Sequence, residues 1–152
     1  MSKASGAVGL EQEIASRIGH FIKRAEQALM TEKSNALREF ELTVPQYSAL
    51  VALSFTPGTS GAQLARLCVV TPQTMATVLA NLEAKGLIER EPSAVHHKVL
   101  VTKLTRQGKA LLKRADAKAK AVESRLAEAY DQAEFDQFRE LLERAIKVLG
   151  GS

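Results

Sequence analysis

The sequence of 152 residues predicts a mainly α-helical protein with one small β-hairpin, in which long helices lie toward both ends of the chain. Apolar residues recur at steps of three and four along most of the chain. Two short runs rich in branched residues, "LIERE" and "KVLVTKL", interrupt that period on either side of a polar "PSAVHH". Because there is no Trp and there are only five Phe and two Tyr, the core must be aliphatic, which suits packed helices.

Two helices are predicted in the first third of the chain. The second begins at Thr43, because Thr43 and Gln46 have the spacing of a capping box and Pro45 is tolerated in a first helical turn. The first ends near Arg38, and its amphipathic stripe comprises Leu10, Ile14, Ile18, Phe21, Ile22, Ala25 and Leu29.

Two shorter helices are predicted next. The segment "TPGTSG" breaks the second helix, and Ser60 can cap a third helix that runs to Cys68. Thr71 can cap a fourth helix, which Pro72 starts and Gly86 ends.

Two more helices follow the hairpin. Thr105 can cap a long fifth helix, and Asp131 with Glu134 forms a capping box for the last one. The seam of the fifth helix comprises Leu111 or Leu112, Ala115, Ala119, Val122, Leu126 and Ala129. The apolar face of the last helix comprises Phe135, Phe138, Leu141, Leu142, Ala145 and Leu149.

The element order predicts three regions. Residues 1–40 form a leader and a dimerisation helix, residues 41–104 carry the short helices and the hairpin, and residues 105–152 form C-terminal dimerisation helices. The terminal helices each show an apolar stripe with too few partners inside one chain. A second copy, related by a twofold axis, is the simplest partner for them.

Charge is unevenly distributed along the chain. The net charge is +4, and residues 85–120 hold ten basic side chains against three acidic ones, whereas residues 121–152 hold seven acidic against four basic. A basic surplus of this kind favours nucleic acid as a partner, because neutralised phosphates release counterions. From charge alone, a solvated Lys-rich helix explains the surplus equally well.

Several classes of protein are excluded by the composition. One cysteine rules out an internal disulfide and fits a reducing cytoplasm, and no apolar run reaches the length needed to cross a membrane. The first residues, "MSKASGAVGLEQE", lack the apolar region of a signal peptide. No Gly-rich phosphate loop, catalytic triad order or metal-ligand spacing is present, so no enzyme activity, catalytic residue, cofactor or metal site is predicted.

The fourth helix has an unusual polar face. On a helical wheel its core side consists of Met75, Val78, Leu79 and Leu82. The opposite side is small and almost uncharged, and consists of Gln73, Thr77, Ala80 and Ala84 with Thr74 and Asn81 beside them. Such a surface can approach another object closely, and Gln, Thr and Asn can read base edges. The alternative is an internal helix whose small residues pack on a neighbour.

The third and fourth helices with their tight turn predict a helix-turn-helix, and the hairpin predicts a wing. The stretch "LARLCVVTPQTMATVLANLEAKGLIER", followed by the wing and "VLVTKLTRQGKALL", resembles the MarR (multiple antibiotic resistance regulator) family of winged-helix transcription factors. "LTVPQYSALVAL" in the second helix and the patterns "LExxGLIxR" and "LTxxG" agree with it. The predicted fold is therefore a winged helix-turn-helix flanked by long N- and C-terminal dimerisation helices.

The resemblance implies a cytoplasmic homodimeric repressor of transcription that binds a pseudo-palindromic double-stranded DNA operator. Recognition helices lie in major grooves and wings in minor grooves. The DNA-binding residues carried over by position are Thr71, Gln73, Thr74, Thr77 and Asn81 as base readers, Ser60, Gln63 and Arg66 near phosphate, and His96, His97 and Lys98 in the wing. Two departures stand out: the recognition helix has no basic residue before Lys85, and His96 and Lys98 replace an Asp-x-Arg of the wing.

The resemblance also implies a small aromatic or phenolic ligand that releases the DNA. The candidate ligand-binding residues are His20, Arg24, Tyr47 and Phe55, although dimer packing and surface charge also explain them. Two other functions remain open at this point. One is a helical protein-interaction module without DNA affinity, and the other is a redox-responsive regulator that uses Cys68, which otherwise acts as a small core residue.

Overall fold

The computed structural model describes residue 9 and residues 11–151, and it confirms a mainly α-helical fold. The helices are α1 (Ile18–Leu37), α2 (Val44–Phe55), α3 (Gly61–Leu67), α4 (Pro72–Ala84), α5 (Arg106–Ala127) and α6 (Gln132–Val148). The strands are β1 (Thr59–Ser60), β2 (Ile88–Pro92) and β3 (Leu100–Leu104). A single 3-10 turn, Arg38–Phe40, joins α1 to α2.

The predicted helix caps are confirmed. Complete capping boxes begin α2, α3 and α6, and the hydroxyls of Thr71 and Thr105 accept backbone N–H groups at the starts of α4 and α5. Gly86 follows α4 with a φ of +70°, the left-handed conformation that ends helices and that glycine adopts freely.

The prediction of one uninterrupted first helix is wrong at Arg17, whose backbone is extended. Residues 11–16 are helical, but the Ser16 hydroxyl donates to the Glu13 carbonyl at 2.8 Å. That carbonyl is the one that the Arg17 N–H would reach in a continuous helix, and the N–H bonds Ile14 instead. Leu10, the first residue of the predicted stripe, lies outside the described residues.

The wing is a three-stranded antiparallel sheet with the order β1-β3-β2, where a two-stranded hairpin was expected. β3 pairs with β2 from Leu104 opposite Ile88 to Leu100 opposite Pro92, and with β1 through Thr59 opposite Thr102. The strand that was not predicted, β1, is only two residues long, so it shows no alternation that a sequence pattern could reveal.

The core lies between the end of α1, the three short helices, the base of the wing and the first half of α5. Its largest fully buried apolar side chains are Leu37, Leu50, Leu53, Leu64, Met75 and Leu82. The predicted seam of α5 is buried at Leu112, Ala115 and Ala119, where α1 and α2 pack on it. Farther along, Leu126 is exposed, as expected of a stripe with too few partners inside one chain. Ala129 lies beyond the end of the helix, so the prediction is wrong there.

The last helix, α6, has no buried residue and makes at most marginal contact with the other described elements. Its apolar face is open along its length and comprises Phe135, Phe138, Leu141, Leu142, Ile146, Val148 and Leu149. The first part of α1 is similar, with Ile18, Phe21 and Ile22 exposed. The described residues cover neither apolar face, and exposed apolar faces of this size are typical of surfaces that bind a further partner.

A tight junction joins the wing to α5. The Thr105 hydroxyl donates to the Gly86 carbonyl at 2.7 Å and accepts the Gly108 N–H at 3.0 Å, while the Thr105 N–H donates to the Leu87 carbonyl at 3.1 Å. A Cβ atom on Gly108 would overlap the Leu87 carbonyl oxygen and lie 2.9 Å from its carbonyl carbon. The glycine of the "LTxxG" pattern is therefore required by close backbone packing.

Replacing Gly108 with Ala should lower the free energy of unfolding by about 1–3 kcal/mol, because the new methyl group displaces the Leu87 backbone. Urea unfolding at a fixed protein concentration measures this change. Gly19→Ala is the matched control: Gly19 is helical with nothing within 4 Å of an added Cβ, so the variant should be at least as stable as wild type. Equal stability of Gly108→Ala and wild type would contradict the packing described.

Candidate nucleic-acid interface

The face of α4 opposite the core is open. Met75, Val78, Leu79 and Leu82 are buried beneath the helix, as the wheel predicted. The outward side chains are all exposed, and they are Gln73, Thr74, Thr77, Ala80, Asn81 and Ala84. Since α4 packs on α2, α3 and β2 with its other side, no described part of the chain covers this face. The alternative of small residues packed on a neighbour within the chain is therefore wrong.

The polar groups on this face differ in their availability. The Thr71 hydroxyl accepts the Thr74 N–H at 3.1 Å and donates to the Thr74 hydroxyl at 2.9 Å, and the Thr77 hydroxyl donates to the Gln73 carbonyl at 3.3 Å. By contrast, the side-chain amides of Gln73 and Asn81 are exposed and make no hydrogen bond to the described residues, so their donor and acceptor atoms are available to a partner.

The three residues predicted near phosphate also separate into two kinds. Ser60 and Gln63 already bond each other in a capping box: the side-chain oxygen (Oε1) of Gln63 accepts the Ser60 N–H at 3.1 Å, and the Ser60 hydroxyl accepts the Gln63 N–H at 3.3 Å. Arg66 is exposed and has no acidic partner among the described residues. It lines a shallow open depression with Thr56, Thr59 and Gln63. Arg66 is thus the cation of α3 that is available to an anion.

The tip of the wing is an ordered turn. The Ser93 hydroxyl accepts the N–H groups of Val95 at 3.3 Å and His96 at 3.2 Å, and the Ser93 and Val99 N–H groups donate to the carbonyls of Val99 and His96 at 2.8 Å each. This turn holds His96, His97 and Lys98 on its exposed outer side.

Two ion pairs stiffen the wing in place of an Asp–Arg pair at its tip. The Arg90 guanidinium on β2 donates to Glu83 of α4 at 2.7 and 3.1 Å, and Lys103 pairs with Glu91 on the neighbouring strand. The first pair gives no signal in the sequence, because its partners lie seven residues apart on different elements. The register offered a signal for the second, since Lys103 faces Glu89 directly and Glu91 diagonally.

Much of the basic surplus is neutralised locally. Besides Arg90 and Lys103, Lys118 pairs with Glu39 at 3.8 Å and Lys120 with Asp116 at 2.6 Å. Six cations of this stretch have no acidic partner in the described chain: Lys85, Lys98, Arg106, Lys109, Lys113 and Arg114. Of these, Lys85 donates to the backbone carbonyl of Glu41 and Arg114 lies over the Phe40 ring. The unpaired positive charge is therefore concentrated at the wing tip and the first turns of α5.

Comparison with known proteins agrees with this geometry. The model of the MarR family matches residues 40–98, the region from the end of α1 to the wing tip. The HTH-type transcriptional repressor Rv2887 of Mycobacterium tuberculosis is 38% identical over 127 residues, which are 84% of this chain and 91% of that protein. The chain belongs to the MarR family.

Solved MarR-family structures superpose over most of the chain. Rv2887 in complex with p-aminosalicylic acid is 37% identical with a TM-score of 0.66, covering 86% of this chain and 98% of that one. Rv2887 in complex with DNA is 35% identical with a TM-score of 0.65 and the same coverage. The repressor CouR bound to a 23-mer DNA duplex is 25% identical with a TM-score of 0.79, covering 88% and 94%.

The four candidate ligand residues of this MarR-family protein make no contact with one another and differ in their surroundings. The Tyr47 hydroxyl donates to the Asp116 carboxylate at 2.8 Å, which joins α2 to α5. The His20 ring lies edge-on to Phe21 at 6.0 Å, Arg24 is exposed, and Phe55 is 82% exposed at the end of α2. No hydrogen bond or ring contact between described atoms joins any two of the four.

Tyr47 and Asp116 shift each other's ionisation. Burial, and then the bond to Asp116, raises the pKa of Tyr47 above its usual value. Burial opposes ionisation of Asp116, but hydrogen bonds from Lys120 and Tyr47 outweigh it and lower the pKa of that carboxyl group. The pair is therefore a neutral phenol on a carboxylate, held at the contact between the second helix and the fifth.

The hypothesis of a redox-responsive regulator gains no support. Burial raises the pKa of the Cys68 thiol, which is the opposite of the activation that a redox sensor needs. The described residues contain no group of three His, Cys, Asp or Glu side chains able to hold a metal ion. None of the described helices is long and apolar enough to cross a membrane.

Tyr47→Phe should lower the free energy of unfolding at pH 7 by about 1 kcal/mol, because Asp116 loses a donor. The lowered pKa of Asp116 means that its contribution is present above the unfolded pKa and is lost as the pH falls through the folded one. The difference from wild type should therefore shrink below about pH 4. Tyr130→Phe is the control, because the Tyr130 ring stacks on Phe138 at 5.5 Å and its hydroxyl makes no bond within the described chain. Equal unfolding curves for wild type and Tyr47→Phe at pH 7 would refute the bond.

Proposed function

We propose that this protein is a homodimeric, sequence-specific double-stranded DNA-binding repressor whose affinity for DNA is lowered by a small aromatic ligand. The observation that carries the proposal is the outward face of α4, where the amides of Gln73 and Asn81 are exposed and make no bond to the described residues, and no charged side chain blocks close approach. The MarR-family relatives support it, since Rv2887 and CouR are both described in complex with DNA.

The dimer follows from the uncovered apolar faces. α6 and the first half of α1 belong to the outer regions, residues 1–40 and 105–152, and residues 41–104 are the DNA-binding unit between them. In the proposed dimer, those faces pair about a twofold axis and the two copies of α4 lie on the same side of the molecule. Copies about 34 Å apart meet successive major grooves of a pseudo-palindromic operator.

The contacts that each residue makes to DNA are assigned from whether its polar atoms are already bonded within the protein. Gln73, Asn81 and Thr77 read base edges, since an amide suits adenine and a methyl group suits thymine. Thr71 and Thr74 contribute mainly through the start of the helix, where the Thr71 hydroxyl caps the Thr74 N–H. Arg66 and Lys98, with His96 and His97, contact phosphate and the minor groove, and Ser60 and Gln63 fix the end of α3 from which Arg66 projects.

The ligand step is supported by relatives and by the Tyr47–Asp116 contact. Rv2887 is described with p-aminosalicylic acid and with salicylic acid, both aromatic acids. In this chain His20 and Arg24 are the candidates for a carboxylate, and Tyr47 and Phe55 for the ring. A ligand lowers DNA affinity only to the extent that it favours an arrangement in which the two DNA-binding units of the dimer do not align with successive major grooves. The protein acts by binding and not by catalysis, and it works in the cytoplasm.

Gln73→Ala should weaken binding to the preferred duplex by about 1–3 kcal/mol and relax the preference at one base position. The test is fluorescence anisotropy on the duplex that wild type selects from a randomised pool, compared with random duplex. Lys98→Ala is the contrasting variant and should weaken binding to both duplexes alike, with a smaller salt dependence. Gln27→Ala, an exposed glutamine of α1, should change neither.

Equal losses from Gln73→Ala on the preferred and the random duplex would show that Gln73 does not read a base. Failure of wild type to enrich any sequence would remove the proposed function itself and favour a module that binds other proteins.

A further inference from the structure

The turn between α3 and α4 contains a strained residue. Val69 has a φ of +54°, in the left-handed region. A β-branched side chain is strongly disfavoured there, because its methyl groups crowd the backbone. Glu41 is the only other non-glycine residue with positive φ among those described, and it is not β-branched.

The hydrogen bonding of the turn fixes this conformation. After α3, the Val69 N–H donates to the Arg66 carbonyl at 3.2 Å and the Val70 N–H to the Ala65 carbonyl at 3.0 Å. These two bonds form the helix ending in which the residue at position 69 must be left-handed. Glycine meets that requirement without strain, so the backbone gives no reason for a valine at this position.

Packing gives no reason either. The Val69 side chain is 92% exposed, more than any other large apolar residue described, whereas the adjacent Val70 is half-buried against the core. Val69 therefore lowers the stability of the fold through its strained backbone, and burial of its side chain does not offset this loss. A strained and exposed residue that the fold does not need is a candidate for function.

Its position indicates the function. Val69 lies two residues before Thr71, which caps α4, so it precedes the N-terminal end of the helix that carries the base-reading residues. If α4 enters a major groove, as the proposed function requires, the turn lies at the groove's edge. The exposed apolar group that the major groove offers is the C5-methyl of thymine.

We propose that Val69 is a specificity-determining residue whose methyl groups contact a thymine methyl group at the edge of each half-site. The inference rests on the proposed function. It adds an apolar contact to a reading face that is otherwise polar.

The test combines a protein change with the removal of a single DNA methyl group. On the duplex that wild type selects, each thymine is replaced in turn by deoxyuridine, and affinities are measured for wild type and Val69→Gly. Wild type should lose about fourfold at one symmetry-related pair of positions, the equivalent of one buried methyl group. Val69→Gly should bind the parent duplex about fifteenfold more weakly, because the homodimer loses the contact in both half-sites, and should lose nothing further at those positions. Val95→Ala, which alters a valine that is 78% exposed at the wing tip, should keep the wild-type pattern.

Thermal unfolding is the second readout. Val69→Gly should raise the unfolding midpoint by roughly 2–4 °C, since it removes backbone strain. Lower stability together with weaker binding would show that Val69 serves the fold, and would overturn the proposal. So would weaker binding by Val69→Gly with an unchanged response to deoxyuridine, which would place the contact on the sugar. Failure of wild type to select any duplex is a different result, and would count against the proposed function as a whole.

Discussion

The structure depends most on the junction at which the wing meets the long fifth helix. Gly108 of α5 lies against the backbone of Leu87, and the Thr105 side chain bonds both the carbonyl of Gly86 and the N–H of Gly108. Gly86 ends the recognition helix and Leu87 leads into the wing. The end of α4, the start of β2 and the start of α5 are thus held at one corner by backbone contacts, which allow little relative movement.

That corner explains how a dimer could control DNA binding. Because α4 and the wing are fixed to α5, displacement of α5 carries both DNA-contacting elements with it. Lys85 at the end of α4 donates to the Glu41 carbonyl at 2.5 Å, and Arg90 of the wing holds Glu83 of α4, so the head has further ties that preserve its shape. The Tyr47–Asp116 bond joins α2 to the same long helix. A ligand bound beside Tyr47 and Asp116 would change the distance between the two DNA-binding units of a dimer and would not contact the outward face of α4.

The sequence predicted those features whose causes are local. Caps, helix starts and the two sides of α4 depend on residues three or four positions apart, and they were confirmed. The features that it missed arise between distant segments or from a single hydroxyl. β1 exists only because β3 lies beside it, the Glu83–Arg90 pair requires the folded corner, and the break at Arg17 follows from the Ser16 side chain. Val69 resembles an ordinary apolar residue until its φ is known. The candidate DNA-binding residues rest on their positions at α3, α4 and the wing and on the family resemblance, whereas the candidate ligand residues rest on the resemblance alone.

The most direct measurement is the affinity of the full chain for the DNA upstream of its own gene, compared with random duplex, at two salt concentrations by fluorescence anisotropy. A reading face on α4 with unpaired cations at the wing and α5 predicts preferential binding to the specific duplex and a marked loss of affinity as salt rises. Absence of binding to either duplex at low salt would contradict a role in reading DNA, and would leave the open faces of α1 and α6 as surfaces for other proteins.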